Sequence, residues 1–196
     1  IVKQGMLTVF DLSEITSLKK KQVILAYFTK QFFNMRRRER VPPFMLLVEE
    51  AHNFAREKAP KGSAISKQII ETIAREGRKF GASLCLVSQR PVQLSTTALS
   101  QCNSMLIMKI ANPYDLDHIG KSCEAIDSST LGAISTLKVG EGILVGEAVN
   151  HPVFLRIRNR LSRKGLRGEP LEKMAKDFEE QSVAREVSDL DIEAFL

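Results

Sequence analysis

The loop G-x-x-x-x-G-K-[ST], whose backbone N–H groups cradle phosphate, is missing from all 196 residues; the nearest approach, Lys61-Gly62-Ser63, has neither the leading glycine nor the order. Cysteine is scarce as well. Cys85, Cys102 and Cys123 are odd in number and show no C-x-x-C spacing, which argues against a zinc ribbon and against a secreted disulfide framework and points to a reducing cytoplasm. No apolar run has the length of a membrane span, so a membrane helix is not expected. The start, Ile1-Val2-Lys3-Gln4-Gly5, has neither an initiator methionine nor a signal-peptide layout, and the natural protein is expected to begin further upstream. His52, His118 and His151 lack metal spacing, no Ser/His/Asp or Cys/His set presents itself, and there are no internal repeats.

What remains is an ordinary globular composition, 43% hydrophobic, at a length sufficient for one packed domain without disulfides or structural metals. Its charge is unevenly distributed. From Glu169 to Leu196 there are nine acidic and three basic residues, a net −6 within a chain of net +6, so residues 1–168 carry +12. A basic body suits a polyanion such as nucleic acid, because phosphate contacts release condensed counterions; it is equally compatible with a solvated basic surface.

The sharpest feature is Phe44-Met45-Leu46-Leu47-Val48-Glu49-Glu50-Ala51-His52, an apolar strand ending in two adjacent carboxylates. It reads as a Walker B element. A buried strand that delivers carboxylates to its C-terminal tip holds Mg²⁺ beside phosphates and positions the attacking water. By position, Glu50 is the water-orienting carboxylate and Glu49 the metal residue. A glutamate in the metal place extends the carboxylate by one methylene and favours contact with Mg²⁺ through water. Two like charges at a strand tip also need a cation or donors to compensate them.

The surrounding pattern alternates strands and helices, which implies a mostly parallel α/β sheet. Met6 to Leu12 reads as a buried strand. Thr16 caps a helix running to about Arg38, ahead of Pro42-Pro43. Phe44 to Val48 is a strand, and a helix follows from about Ser63 to Phe80, closed by Gly81. On that helix Ile65, Ile69, Ile73 and Phe80 fall on one side, with Lys67, Gln68, Glu71, Arg75, Arg78 and Lys79 on the other. Strands are predicted at Ser83 to Ser88 and Ser104 to Ile110, short helices at Pro113 to Lys121 and Asp127 to Leu137, and a hairpin around Asn150-His151. Arg156 to Arg167 reads as a basic linker and Glu169 to Leu196 as helical.

Ser88-Gln89-Arg90-Pro91 follows its strand directly, so Gln89 should emerge at the same sheet edge as Glu50, where it could sense a γ-phosphate or hold the attacking water. His52, two residues beyond Glu50, is read as a structural or surface residue, or as a side chain that orients the glutamates without touching the metal. Arg75 and Arg78 occupy the charged face of their helix. Either is available to a neighbouring subunit's nucleotide as a trans-acting finger, or is simply solvated. The runs Arg36-Arg37-Arg38 with Arg40, and Arg56, Lys58 and Lys61, either contact phosphates or, for the first, complement the negative end of a helix.

With Leu47-Val48-Glu49-Glu50-Ala51-His52, Ala74-Arg75-Glu76-Gly77-Arg78-Lys79-Phe80-Gly81, Ser88-Gln89-Arg90-Pro91 and Ile110-Ala111-Asn112-Pro113 in this order, the chain resembles the HerA family of hexameric DNA-translocating ATPases, related to FtsK. The resemblance covers most of residues 1–168, as the C-terminal part of a RecA-like P-loop ATPase domain, with 169–196 as an acidic helical tail. It implies an ATP-driven helicase or translocase that forms a homo-hexameric ring on duplex DNA, uses ATP and Mg²⁺, and cooperates with a NurA-type nuclease in resecting DNA ends for repair. By position it makes Glu49 and Glu50 the Walker B pair, Gln89 the sensor and Arg75 the arginine finger, with Arg78 the second choice. In the family's sheet the Walker A strand lies between Leu84–Ser88 and Ser104–Ile110. Its absence is expected to be made good either by direct pairing of those two strands or by another polypeptide that fills the gap; the two strands standing apart with bare edges facing solvent would contradict this.

Two further readings compete. Ala51-His52 after two acids also suggests a superfamily 2 helicase box, but the Q-x-x-G-R-x-x-R motif of a second lobe is missing. A scaffold that has lost its phosphate loop would bind nucleic acid or a nuclease without catalysis. On the ATPase reading, the purified 196-residue chain alone should neither bind nor hydrolyse ATP well. Substantial turnover in a phosphate-release assay on that chain would refute this.

Overall fold

The computed structural model describes residues 2–58, 64–123, 126–162 and 172–180. The chain divides into two compact units, Ile1–Ile157 and Arg158–Leu196. The first runs α1 (Leu18–Arg37), β1 (Phe44–Val48), α2 (Lys67–Glu76), β2 (Ala82–Leu86), α3 (Thr96–Ser100), β3 (Ser104–Met108), α4 (Pro113–Ser122), α5 (Ser128–Thr136), β4 (Glu141–Gly146) and β5 (Val153–Arg156). In the second, residues 172–180 form an exposed helix; the rest of the predicted tail lies outside the described residues. No helix is long and apolar enough to cross a membrane.

β1 and β2 pair in parallel, Phe44 opposite Ala82 and Val48 opposite Leu86. Side chains alternate along both strands. Phe44, Leu46 and Leu84 turn towards Phe33 of α1 and Ile73 of α2, while Val48, with Leu46, Leu84 and Leu86 beside it, packs with Ile70, Ala51, Phe54, Leu94 and Leu99. A second cluster, built from Ile107, Ile119, Ile126, Ile134, Leu137, Ile143 and Val145, lies between the antiparallel sheet β3-β4-β5 and helices α4 and α5, and Met105 packs against this core and the first alike.

Several elements begin or end where local chemistry dictates. Ser17, rather than the expected Thr16, caps α1 by accepting the Lys20 N–H at 3.4 Å. α2 ends in a 3₁₀ turn, Gly77–Phe80, which closes on Gly81 at φ 67°, a left-handed cap that glycine adopts freely. The wholly buried residue of α2 is Ile70, at 0% exposure. Ile73, from the predicted set, is also buried, and Ile69 and Phe80 are partly buried against the same core, so the apolar stripe is that of the predicted set widened to include Ile70.

Two expectations fail. Met6 to Leu12 is not a buried strand: Leu7 is 88% exposed, and no strand of the described residues pairs with this segment. Without a partner strand an extended stretch cannot satisfy its backbone in a sheet; Met6, Leu7 and Val9 stay exposed, and Phe10 packs on helix α1. Phe10 sits 5.1 Å from the ring of Phe28 and 6.2 Å from that of Phe32, both on α1. Nor do β2 and β3 close on one another. They belong to separate sheets, and one edge of each has no strand partner among the described residues. The face of the parallel pair away from α1 and α2 is also open, with Met45 67% and Leu47 55% exposed.

Two helical glycines test this packing against each other. A Cβ on Gly77 would lie 2.2 Å from the Ala82 carbonyl oxygen, whereas one on Gly132 in α5 would meet nothing within 4 Å. Gly77→Ala should destabilise the chain by roughly 1–3 kcal/mol through forced backbone movement, and Gly132→Ala should stabilise it by about 0.4–1 kcal/mol. Urea unfolding of the two variants measures both, and equal effects would contradict the close approach at Gly77.

Candidate active site

Parallel register sets the site. The β1–β2 ladder continues past both strands: the Val87 N–H donates to the Val48 carbonyl at 3.0 Å and the Ala51 N–H to the Val87 carbonyl at 2.9 Å. Glu49 and Glu50 therefore leave the sheet at the same edge as Ser88 and Gln89. At Glu50 the backbone turns into a left-handed conformation, φ 50° and ψ 45°, and enters the 3₁₀ turn Ala51–Asn53. For a residue with a Cβ this conformation costs of order 1 kcal/mol or more, and it is found where surrounding structure imposes it. Here Ala51, fully buried, is anchored by its hydrogen bond to Val87.

The turn brings four side chains together. Gln89 Nε2 donates to Glu50 Oε1 at 3.0 Å. His52 Nδ1 lies 3.4 Å from Glu50 Oε2 and 3.1 Å from Ser88 Oγ, and Ser88 Oγ accepts the Arg90 N–H at 3.1 Å. Both oxygens of the Glu50 carboxylate thus face a nitrogen, the Gln89 amide donating to one and His52 Nδ1 lying near the other. A carboxylate held this way keeps outward lone pairs free for a water molecule, which is the arrangement a general base requires.

The loop behind the turn is braced from several directions. Gln22, buried in α1, donates to the Asn53 carbonyl at 2.7 Å, and buried Ser66 donates to the Phe54 carbonyl at 2.6 Å. Residues 55–57 then run antiparallel to 93–95: the Ser95 N–H donates to the Ala55 carbonyl at 2.7 Å and the Glu57 N–H to the Gln93 carbonyl at 2.9 Å. Glu57 accepts the Thr96 N–H at 2.8 Å and lies 3.6 Å from Lys67, which also reaches Glu71 at 3.7 Å. Burial raises the Glu57 carboxyl pKa, but hydrogen bonds from Thr96 and the Lys67 ammonium outweigh it and hold the group below the ordinary 4.5. Gln22, Ser66, Glu57 and Thr96 carry no pattern that singles them out in sequence, because each contact links segments far apart in the chain.

Of the residues selected from sequence, Glu50 and Gln89 meet directly, with His52 beside them. Glu49 is exposed at the strand tip and forms no ion pair among the described residues. Arg75 on α2 and Arg78 in the following turn are exposed, and neither is joined to Glu50 or Gln89 by a hydrogen bond or ion pair. The arginine run is partly consumed by the fold. Arg36 donates to the Phe80 and Val41 carbonyls at 2.6 and 3.0 Å, and Arg37 lies 5.2 Å over the Phe80 ring, which leaves Arg38 and Arg40 as its uncommitted members. No cluster of three or more His, Cys, Asp or Glu side chains among the described residues could hold a metal ion. Mg²⁺ is commonly held by one or two carboxylates plus substrate phosphates and waters, and the Glu49–Glu50 tip supplies an oxygen set of that kind.

Comparison with known proteins gives a consistent picture. The DNA double-strand break repair helicase HerA of Pyrococcus furiosus is 41% identical to this chain over 127 residues, 64% of the chain and 22% of the relative. The HerA helicase of Saccharolobus solfataricus is 32% identical over 80% of this chain and 32% of its own length, and that of Sulfolobus acidocaldarius 29% identical over 96% and 39%. The chain therefore spans well under half the length of the curated relatives it matches. No family model matches it. Among solved structures, the genome-packaging NTPase B204 of Sulfolobus turreted icosahedral virus 2 aligns with a TM-score of 0.56 in its sulfate complex, at 17% identity over 77% of this chain and 66% of that one. Its ATP-gammaS complex aligns at 0.53, with 18% identity over 68% and 62%. The fold is that of a P-loop ATPase, an α/β core with a parallel sheet pair flanked by helices.

The brace at Glu57 has a pH signature. Because its folded-state pKa is depressed, its contribution to stability is present above the unfolded value and disappears as pH falls through the folded one. Glu57→Gln should be less stable than the parent at neutral pH and lose less stability between about pH 6 and pH 3. Urea midpoints across that range measure the difference, and parallel curves would deny Glu57 the role.

Proposed function

The chain belongs to the HerA family, and from that premise we propose that it carries the water-activating half of an ATP-hydrolysing site in a DNA helicase or translocase. The observation that carries the proposal is the hydrogen bond between Gln89 and Glu50 at the tips of two adjacent parallel strands. That pairing puts a carboxylate and a carboxamide where an attacking water can be held and deprotonated. Glu50 takes the proton. Gln89 orients the water or answers to the γ-phosphate. Glu49 would hold Mg²⁺ through water, and the metal would supply charge neutralisation at the phosphates. Arg75, or second to it Arg78, is a free guanidinium suited to stabilise the phosphoryl charge of a neighbouring subunit's nucleotide.

The phosphate cradle comes from elsewhere in the intact protein. The unpaired edges of β2 and β3 and the open apolar face at Met45 and Leu47 are what a sheet offers when a strand and a covering helix belong to another segment. A ring of such subunits on duplex DNA, acting with a nuclease in end resection, follows from the family resemblance, and the +12 charge of residues 1–168 suits that partner. The missing phosphate loop favours a second reading, a non-catalytic scaffold that binds nucleic acid or a nuclease. In that case the Glu50–Gln89 pairing would serve no reaction.

ATP turnover by the intact protein separates them. Glu50→Gln should lower kcat by about a hundredfold or more while nucleotide still binds, and Arg75→Ala by roughly a thousandfold. If the finger acts in trans, mixing the two inactive variants restores part of the rate, since some interfaces then pair an intact Glu50 with an intact Arg75. Wild-type turnover by Glu50→Gln would hand the site to the scaffold reading, and an inactive mixture would move the finger away from Arg75.

A further inference from the structure

His52 is the unabsorbed member of the cluster. We infer that His52 is a positioning residue for Glu50: its Nδ1–H fixes the carboxylate oxygen that Gln89 does not hold, so that Gln89 is free to leave Glu50 for the attacking water or the γ-phosphate. This rests on the reading of Glu50 as the general base.

The geometry supports it in three steps. The first concerns tautomer. Nδ1 of His52 approaches both Glu50 Oε2 at 3.4 Å and Ser88 Oγ at 3.1 Å. A bare Nδ1 lone pair would repel the carboxylate, whereas Nδ1–H is attracted to both, so the environment selects the Nδ1–H form. Ser88 Oγ already accepts the Arg90 N–H at 3.1 Å, which fixes the hydroxyl oxygen between the two exit loops.

The second step concerns rigidity. The His52 side chain is 13% exposed and that of Glu50 43%. His52 stands in the 3₁₀ turn between fully buried Ala51 and Asn53, whose carbonyl Gln22 holds. Gln89 is exposed on the loop after β2. One partner is thus enclosed by the fold and the other is exposed at the surface.

The third step concerns what Gln89 leaves behind. Its carboxamide nitrogen carries two hydrogens, one of which goes to Glu50 at 3.0 Å. When the whole group swings to a phosphate oxygen or a water, Glu50 keeps one orienting donor only if His52 remains. Losing an orienting partner of a reactive group costs roughly tenfold to a hundredfold in rate.

The test compares His52→Ala, His52→Asn and His52→Gln in the intact protein, with Glu50→Gln as reference, by steady-state ATP turnover in Mg²⁺ with duplex DNA. The amide nitrogen of asparagine stands where Nδ1 does, and that of glutamine where Nε2 does. His52→Ala should lower kcat roughly tenfold to a hundredfold with KM for ATP unchanged, His52→Asn should regain most of the rate, and His52→Gln should not. If the alanine variant does not fold, as judged by its thermal midpoint, the Asn/Gln pair decides alone. Equal rates for Asn and Gln, or wild-type kcat in His52→Ala, would overturn the inference while leaving Glu50 as the base. Wild-type turnover by Glu50→Gln would overturn both.

Discussion

The parallel register of β1 against β2 is the constraint on which the rest of the molecule depends. Two strands entering side by side in the same direction must also leave side by side, so the residues after Val48 and after Val87 are delivered to one edge. The ladder bonds Val87–Val48 and Ala51–Val87 carry that alignment beyond the strands themselves, and the contact of Glu50 with Gln89 follows from it. A slip by one residue would turn the inward residues of the displaced strand, Leu46 or Leu84, to the opposite face and separate Glu50 from Gln89 at the same time. Packing in the core and geometry at the tip are therefore one requirement, because Phe33, Ile70 and Ile73 hold the register by burying the inward residues of both strands.

The same sheet is unfinished, and the way it is unfinished is specific. Parallel sheets in α/β proteins are covered on both faces, yet β1 presents Met45 and Leu47 to solvent. Helices α1 and α2 cover only the other side. β2 and β3 approach a common core through Met105 but do not pair. The open face and the open edges are consistent with one another: both are satisfied by a strand and helix that add to the parallel pair. A chain that spans 22–39% of its curated relatives has ample sequence elsewhere in such proteins to supply them.

How far the sequence discloses this depends on the range of the interaction. β1 was legible because five apolar residues ending in two acids can serve few purposes, and the convergence of Gln89 with Glu50 followed from parallel topology alone. Gly81 was legible because a left-handed cap is a local demand. Met6 to Leu12 misled because its alternating apolar residues fit a strand, while a strand exists only with a partner, and the partner is a matter of tertiary structure. Ile70 was missed because it adjoins the predicted Ile69–Ile73 stripe, and the width of a buried stripe is set by what packs against it rather than by the 100° period. The Arg36–Arg38 run looked like a phosphate patch. Two of its members are occupied by the Val41 and Phe80 carbonyls and the Phe80 ring, contacts made through the tertiary fold.

Unfavourable features converge on the two glutamates, and the means of offsetting them differ. Glu50 adopts a left-handed backbone and carries a charge beside another charge, but nitrogens from two loops meet both of its oxygens. Glu49 has no such partner among the described residues, so its repulsion with Glu50 is relieved only by water or by a cation from solution. A pair in which one carboxylate is firmly oriented and its neighbour is left to solvent is poorly suited to holding a fold together, since orienting one charge and exposing the next adds nothing to packing. On the proposed reading it suits a division of labour between a base whose direction is fixed and a ligand that would take a metal and phosphates. The strand tip would then separate the two roles by one residue and one change of backbone conformation, made at the left-handed turn of Glu50.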